Sequence, residues 1–147
     1  MNQDIIRQQY EQINRGELDA AVISFAEDVK THGRLIGRNG FRLVLDDLYT
    51  TFPDLHQEII DMVAEGDTVI VRVMVSGTHK GVGKIPINGG LLVGVEPTGK
   101  HFEVQQIHWY KLHDGRIVEH WANRDDIGMM QQLGLLPQAP TPNQKQL

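Results

Sequence analysis

Cysteine is absent from the 147 residues, which excludes a disulfide framework, a thiolate nucleophile and a cysteine-ligated metal. Basic charge is scarce as well: 14 Lys and Arg against 19 Asp and Glu leave a formal charge of -5, and the basic residues are scattered. Binding a phosphate backbone depends on clustered Lys and Arg that release counterions, so no nucleic-acid partner is expected. No apolar run approaches bilayer length, and the opening residues MNQDIIRQQYEQ are too polar for a signal peptide. The expectation is a cytoplasmic protein with no membrane partner. Seven histidines invite a metal reading, yet none stands in an HExxH or tight HxH arrangement, so no metal site is expected.

What is present fits one soluble domain. Hydrophobic residues make up 40%, charged residues 22%, and there are 15 Gly, a balance suited to a globular fold with its own core. The expected domain covers residues 1–137, followed by a polar, Pro-containing tail, 138–147, that should fray. Ile5, Ile6, Gln9, Tyr10 and Ile13 recur at helical spacing up to Arg15-Gly16. Leu18, Val22, Phe25 and Ala26 predict a second helix over Glu17 to Asp28, leading into a short strand at Val29 to His32. Phe41, Val44, Leu45, Leu48 and Phe52 define a third helix, stopped by Pro53. Leu55 to Ala64 and Thr68 to Thr78 read as strands, with Val69, Val71, Val73 and Val75 on one face and Arg72 and Met74 on the other. The Gly-rich stretch Gly81 to Gly99 reads as a rim loop with a short strand at Leu91 to Val95. Helices first and antiparallel strands after predict an α+β fold, in which a curved sheet closes over a pocket.

The richest stretch runs from Lys100 to Gly134. Asp114-Gly115 between two β-rich runs is a two-residue hairpin signal, because both central positions of a type I′ turn need positive φ. If His113 and Arg116 flank that turn, Leu112 faces Ile117, Tyr110 faces Glu119, His108 faces Trp121 and Gln106 faces Asn123. Gln106, His108, Tyr110, Trp121 and Asn123 then share one face, and Asp125 continues that parity. The opposite face carries Ile107, Trp109, Val118, His120 and Ala122, a packing surface with His120 as its oddity. Ile127 to Leu133 predicts a short final helix closed by Gly134 and Pro137.

Four segments stand out: Asn14-Arg15-Gly16-Glu17-Leu18-Asp19, Gly77-Thr78-His79-Lys80-Gly81, Pro97-Thr98-Gly99-Lys100, and the block Glu119-His120-Trp121-Ala122-Asn123-Arg124-Asp125 with Gly128 and Gln131-Gln132-Leu133-Gly134. Together they resemble the SnoaL-like polyketide cyclase family, within the nuclear transport factor 2-like fold. The last block is the most specific. The resemblance implies a cone-shaped α+β barrel with three N-terminal helices and a short C-terminal one, assembled as a homodimer or homotetramer. It implies intramolecular aldol ring closure of a small molecule without metal or organic cofactor. It also implies that Asp125, four residues after Trp121, is the general acid/base, that His108 and Gln106 are its polar partners, and that Tyr10 and His32 line the pocket. Between Gly81 and Pro97 the chain is longer than the usual pattern, which affects the rim and the substrate.

An aldol closure needs a base for a C–H proton, a donor for the enolate and an acid for the new alkoxide. One carboxyl can perform the first and last. Asp125 lies near a helix N-terminus, where the dipole favours its anion and weakens it as a base. Burial under Trp121 would act the other way, and a carbon acid flanked by carbonyls would need less basicity. The competing structural role for Asp125 is to cap the final helix, although Asp126 or Asn123 could serve there. His108 could instead be a core imidazole bonded to a neighbour, Gln106 and Asn123 could satisfy each other, and Trp121 and Tyr110 could be core aromatics that also form a pocket wall. Two other functions stay open: an isomerase or hydrolase on the same fold, and a non-catalytic ligand-binding or dimerisation module. An epoxide hydrolase would want an Arg and two carboxylates around a water, and the inner face offers no Arg between Gln106 and Tyr110. The binding module predicts an Asp125 that only caps its helix, with no enclosed pocket.

Overall fold

A computed structural model describes residues 1–86, 90–138 and 140. The first helix, α1 (Asn2–Asn14), buries Ile6, Gln9, Tyr10 and Ile13 at the spacing of one face and ends where Gly16 takes a φ of 75°. The expected second helix is much shorter. Only Leu18–Ala21 is α-helical (α2); Val22–Ser24 tightens into a 3₁₀ turn, in which Ser24 Oγ donates to Ala21 O at 2.8 Å. Phe25 is already extended and opens β1 (Phe25–Thr31). Leu18, Val22 and Phe25 fit helical spacing, but the β-branched pair Val22-Ile23 disfavours another helical turn, and burying Phe25 from a strand satisfies the same apolar pattern.

After β2 (Arg34–Leu35), α3 (Gly37–Thr51) runs to the residue before Phe52, with Pro53 beyond it. β3 (His56–Glu65) and β4 (Thr68–Thr78) pair antiparallel around Gly66-Asp67, and β5 (His101–His113) and β6 (Arg116–Arg124) form the long hairpin. A final helix, α4 (Asp126–Gln132), closes with Gly134 at φ 78°. The strands form one mixed six-stranded sheet in the order β2-β1-β6-β5-β4-β3, in which only β1 and β6 are parallel. The architecture is thus α+β, with the helices laid over one face of a curved open sheet.

The alternation of β4 explains where the core sits. Val69, Val71 and Val73 are wholly buried while the residues between them reach the other face. Each such valine stabilises the fold by roughly 1.5 to 3 kcal/mol through burial. Tyr10 and Ile13 of α1 and Leu45 of α3 belong to the same core, and Phe25 stacks on Phe41 at 4.1 Å. Gly77 is needed for close approach, since a Cβ there would stand 2.9 Å from the Cβ of Phe52.

The rim segment between β4 and β5 departs from expectation. Among the described residues Leu91 to Val95 is not a strand; a single bridge joins Gly83 to Val93. Gly90 and Gly94 adopt φ of 83° and 71°, and Val93 and Val95 donate locally to Gly90 O and Leu92 O, which bends the backbone out of extension. Buried Asp47 of α3 holds this segment by accepting from the backbone N–H groups of Lys84 and Ile85. Of the tail at 138–147, only Gln138 and Pro140 are described, so the expectation of fraying lies outside the described residues.

Asp114 and Gly115 have φ of 48° and 74°, as a type I′ turn requires. The register beyond that turn is corrected by a bulge. Leu112 faces Ile117, but the next pair is Lys111 and Glu119, so Val118 is an extra residue on β6. Every later pair slips by one: Tyr110 faces His120, Trp109 faces Trp121, His108 faces Ala122, Ile107 faces Asn123 and Gln106 faces Arg124. A one-residue slip exchanges the two faces of a strand.

Candidate active site

The bulge decides which side chains the sheet turns toward α1 and α3. Gln106, His108 and Tyr110 point inward from β5, and His120 and Arg124 join them from β6. Together with Gln9, Tyr10 and Ile13 of α1, Phe41, Val44, Leu45 and Leu48 of α3, and Phe25, Phe52, Leu55, Gln57, Val75, Phe102 and Met129, they line a cavity of about 140 Å³. A single water needs roughly a tenth of that space. The wall is mostly apolar and its polar groups converge from two strands, the usual composition of a small-molecule site.

Those polar groups form two hydrogen-bonded sets. Thr31 Oγ1 lies 2.9 Å from His120 Nδ1, His120 Nε2 lies 2.8 Å from His108 Nδ1, and His108 Nε2 lies 2.8 Å from Gln106 Oε1. Beside this chain the hydroxyls of Tyr10 and Tyr110 meet at 2.7 Å. Burial drives the titration of the cluster. His108 is pushed down to about 3, first by burial and then by the nearby charges of Arg124 and His32. His120 is held well below the usual histidine range by burial, His108, His32 and Arg124. Burial raises Tyr10, with Tyr110 adding to it, and raises Tyr110 as well. At neutral pH both imidazoles are neutral and both phenols keep their protons.

Arg124 brings the cavity its positive charge. Its Nε is buried with no hydrogen-bond acceptor among the described residues; Asp126 Oδ1 is 3.7 Å away. Asp126 is about one-third exposed, and burial raises its pKa against the lowering influence of Arg124. No group of His, Cys, Asp or Glu that could hold a metal occurs among the described residues.

The residues singled out from the sequence divide accordingly. Gln106, His108, Tyr110 and Tyr10 are brought together on the cavity. Trp121 and Asn123 are not: the Val118 bulge puts them on the opposite face with Trp109 and Ile107. Asp125 is exposed and does not line the cavity; its Oδ1 accepts from the Gly128 N–H at 2.9 Å as the cap of α4. Gly128 suits that cap, because a Cβ there would stand 2.3 Å from the Asp125 carboxylate. The mutual bond expected between Gln106 and Asn123 is replaced by the one between Gln106 and His108. His32 is exposed in the β1–β2 turn at φ 50°, where Nε2 accepts from the Ala122 N–H at 3.2 Å.

Three contributors escaped the sequence reading: His120, Arg124 and Thr31. The first two follow from the bulge, and the signal for it was the adjacent apolar pair Ile117-Val118, which cannot both face the core of a regular strand.

A sequence profile of the SnoaL-like polyketide cyclase family matches residues 4–133. The chain is 28% identical over 138 residues to the aklanonic acid methyl ester cyclases DauD of Streptomyces sp. strain C5 and DnrD of Streptomyces peucetius. The match covers 89% of this chain, 80% of DauD and 89% of DnrD. Among solved structures, IdmH of Streptomyces antibioticus superposes with a TM-score of 0.74 at 32% identity, covering 91% of this chain and 99% of IdmH. TsrD of Streptomyces laurentii gives 0.77 at 26% identity, with 91% and 95% covered. With its sequence matched by the family profile and its fold matched by solved relatives along nearly the whole length, the chain belongs to the SnoaL-like polyketide cyclase family.

Proposed function

We propose that the protein closes a ring in a small, largely apolar β-dicarbonyl compound by an intramolecular aldol step, without metal or organic cofactor. The observation that carries this reading is the apolar cavity with neutral His108 and the guanidinium of Arg124 on one wall. A carboxylate removes the proton from the carbon between two carbonyls. The enolate oxygen takes hydrogen bonds from His108 Nε2–H and Arg124, the carbanion attacks a second carbonyl carbon, and the resulting alkoxide recovers the proton from the carboxylic acid. Nothing is lost from the substrate, so the product is its isomer. A methyl ester of the kind named for DauD and DnrD is the substrate class we favour. Assembly as a homodimer or homotetramer would cover the outer face around Trp109.

The carboxylate comes from the pair at the start of α4. Asp125 holds the position that the family resemblance assigns to the base, and to act it must leave the Gly128 N–H and turn toward Arg124. Asp126 adjoins Arg124, and its burial-raised pKa makes it the stronger base, but it too stands outside the cavity lining and must turn inward to act. Ring closure of aklanonic acid methyl ester, followed by chromatography with Asp125→Asn and Asp126→Asn, separates them. Loss of kcat by about a hundredfold or more in one variant, with its fold intact, identifies the base. Full activity in both variants would exclude a carboxylate base.

A ligand-binding module is the second reading, favoured by the exposed, capping Asp125. It requires binding of the ester with no turnover by the wild type. The hydrolase reading gains Arg124 but needs two carboxylates around one water, so both would have to turn in from outside the cavity lining, where the cyclase step needs one.

A further inference from the structure

We propose that His120, itself held by Thr31, is a positioning residue that fixes His108 as the tautomer protonated on Nε2, so that the cavity wall always presents a hydrogen-bond donor. The inference rests on the cyclase reading for its purpose, though not for its geometry.

Matching donors to acceptors along the chain of bonds fixes each ring's tautomer. Gln106 presents Oε1 to His108 Nε2, and an amide oxygen can only accept, so Nε2 carries the proton. A neutral imidazole has one N–H, which leaves His108 Nδ1 as an acceptor. His120 Nε2, 2.8 Å away, must therefore donate, and His120 Nδ1 must accept. Its donor is the Thr31 hydroxyl at 2.9 Å. All three bonds thus point the same way, from Thr31 on β1 through His120 on β6 to His108 and Gln106 on β5. The Tyr10 and Tyr110 hydroxyls meet each other at 2.7 Å, and among the described residues neither is bonded to these ring nitrogens.

The three bonds can reverse only together. A His108 protonated on Nδ1 would face an acceptor on His120 and would need Gln106 to offer its NH₂ group. In that setting Nε2 is a lone pair, which repels a carbonyl oxygen instead of polarising it. In the observed setting, an oxygen entering the cavity competes with Gln106 Oε1 for the Nε2 proton, with Arg124 on the same wall. Charging the dyad is disfavoured by the guanidinium of Arg124, by His32 and by the apolar surroundings, so a neutral donor is the form the site retains.

Long-range ¹H–¹⁵N correlation spectra of the histidine-labelled protein read each ring nitrogen directly, without a substrate. The wild type is expected to show one tautomer at both rings, protonated on Nε2. His120→Phe, and more mildly Thr31→Val, is expected to lose that single state, with a second tautomer appearing at His108. His120→Gln places an amide N–H where His120 Nε2 stood and should restore it. A wild-type His108 protonated on Nδ1, or a His108 tautomer unchanged in both His120→Phe and Thr31→Val, would overturn the proposal. Should His120→Phe fail to fold, Thr31→Val carries the same test. An inactive protein with the Nε2 tautomer would sink the cyclase reading and leave this inference standing.

Discussion

The inward and outward faces of the β5–β6 hairpin alternate along the same two strands and do opposite things. Inward, Gln106, His108 and His120 share one hydrogen-bonded chain beside a cavity that Tyr110 and Arg124 also line. Outward, Ile107 and Trp109 are about half exposed, with Trp121 and Asn123 opposite them. Both faces mix aromatic and polar residues, so composition does not tell them apart. The difference is position relative to the helices: only the inner face is covered by α1 and α3, and only there does desolvation shift histidine protonation. One residue, Val118, sets that assignment for the whole length of β6 beyond it.

Inserting one alanine between Glu119 and His120 is the largest way to break the contrast. Tyr110 would then face the alanine and Trp109 would face His120, so Trp121 and Asn123 would turn toward the core and His120 and Arg124 away from it. Burying an amide without a partner costs about 1 to 3 kcal/mol, and the His120–His108 bond is lost as well. The insertion variant should lose cooperative thermal unfolding, and a native-like melt would show that a second bulge absorbs the added residue.

Acid separates the faces less drastically. His108 and His120 are neutral in the fold, with pKa values below that of an unfolded histidine near 6.5. Between these limits the unfolded chain binds more protons, so stability is complete above about pH 6.5 and declines as pH falls toward 3. The urea midpoint should therefore drop across that range, and drop less in His120→Gln. Equal slopes in the two proteins would mean that His120 does not contribute. Carboxylates add their own loss at the acid end, which the paired comparison cancels.

The smallest effects belong to residues on or beyond the outer face. Asp125→Ala removes the α4 cap and should cost about 1 kcal/mol, or about 3 °C in Tm, whereas Asn at 125 retains a cap and costs less. Asn123→Ala, exposed on the outer face, should stay within about 0.5 kcal/mol. A larger loss for Asn123→Ala would indicate a contact that an isolated chain does not make, such as one across a subunit boundary.

Much of this molecule was legible from periodicity. α1, α3, β3 and β4 lie close to where Ile6, Tyr10 and Ile13, Leu45, and the Val69 to Val75 alternation put them, because those residues have one low-energy way to bury an apolar face. α2 was overextended because Leu18, Val22 and Phe25 satisfy both a helix and a helix that yields to a strand. Part of the cavity wall is legible too: alternation puts Gln106, His108 and Tyr110 on one face of β5, and all three line the cavity. The same alternation puts Trp121 and Asn123 with them, because strict pairing from a type I′ turn leaves no room for an extra residue.

Local chemistry sufficed for the α+β class, the Asp114-Gly115 turn and the final helix with its Asp and Gly ends, because φ preferences, caps and apolar spacing act within a few residues. The face of β6 that meets the cavity was settled by packing between distant segments. Ile117 had to fill the core beside Phe25 of β1 while His120 reached both Thr31 and His108, and a bulge at Val118 satisfies all three. Those constraints come from residues 89 and 12 positions away in the chain, and no window of sequence around Val118 contains them.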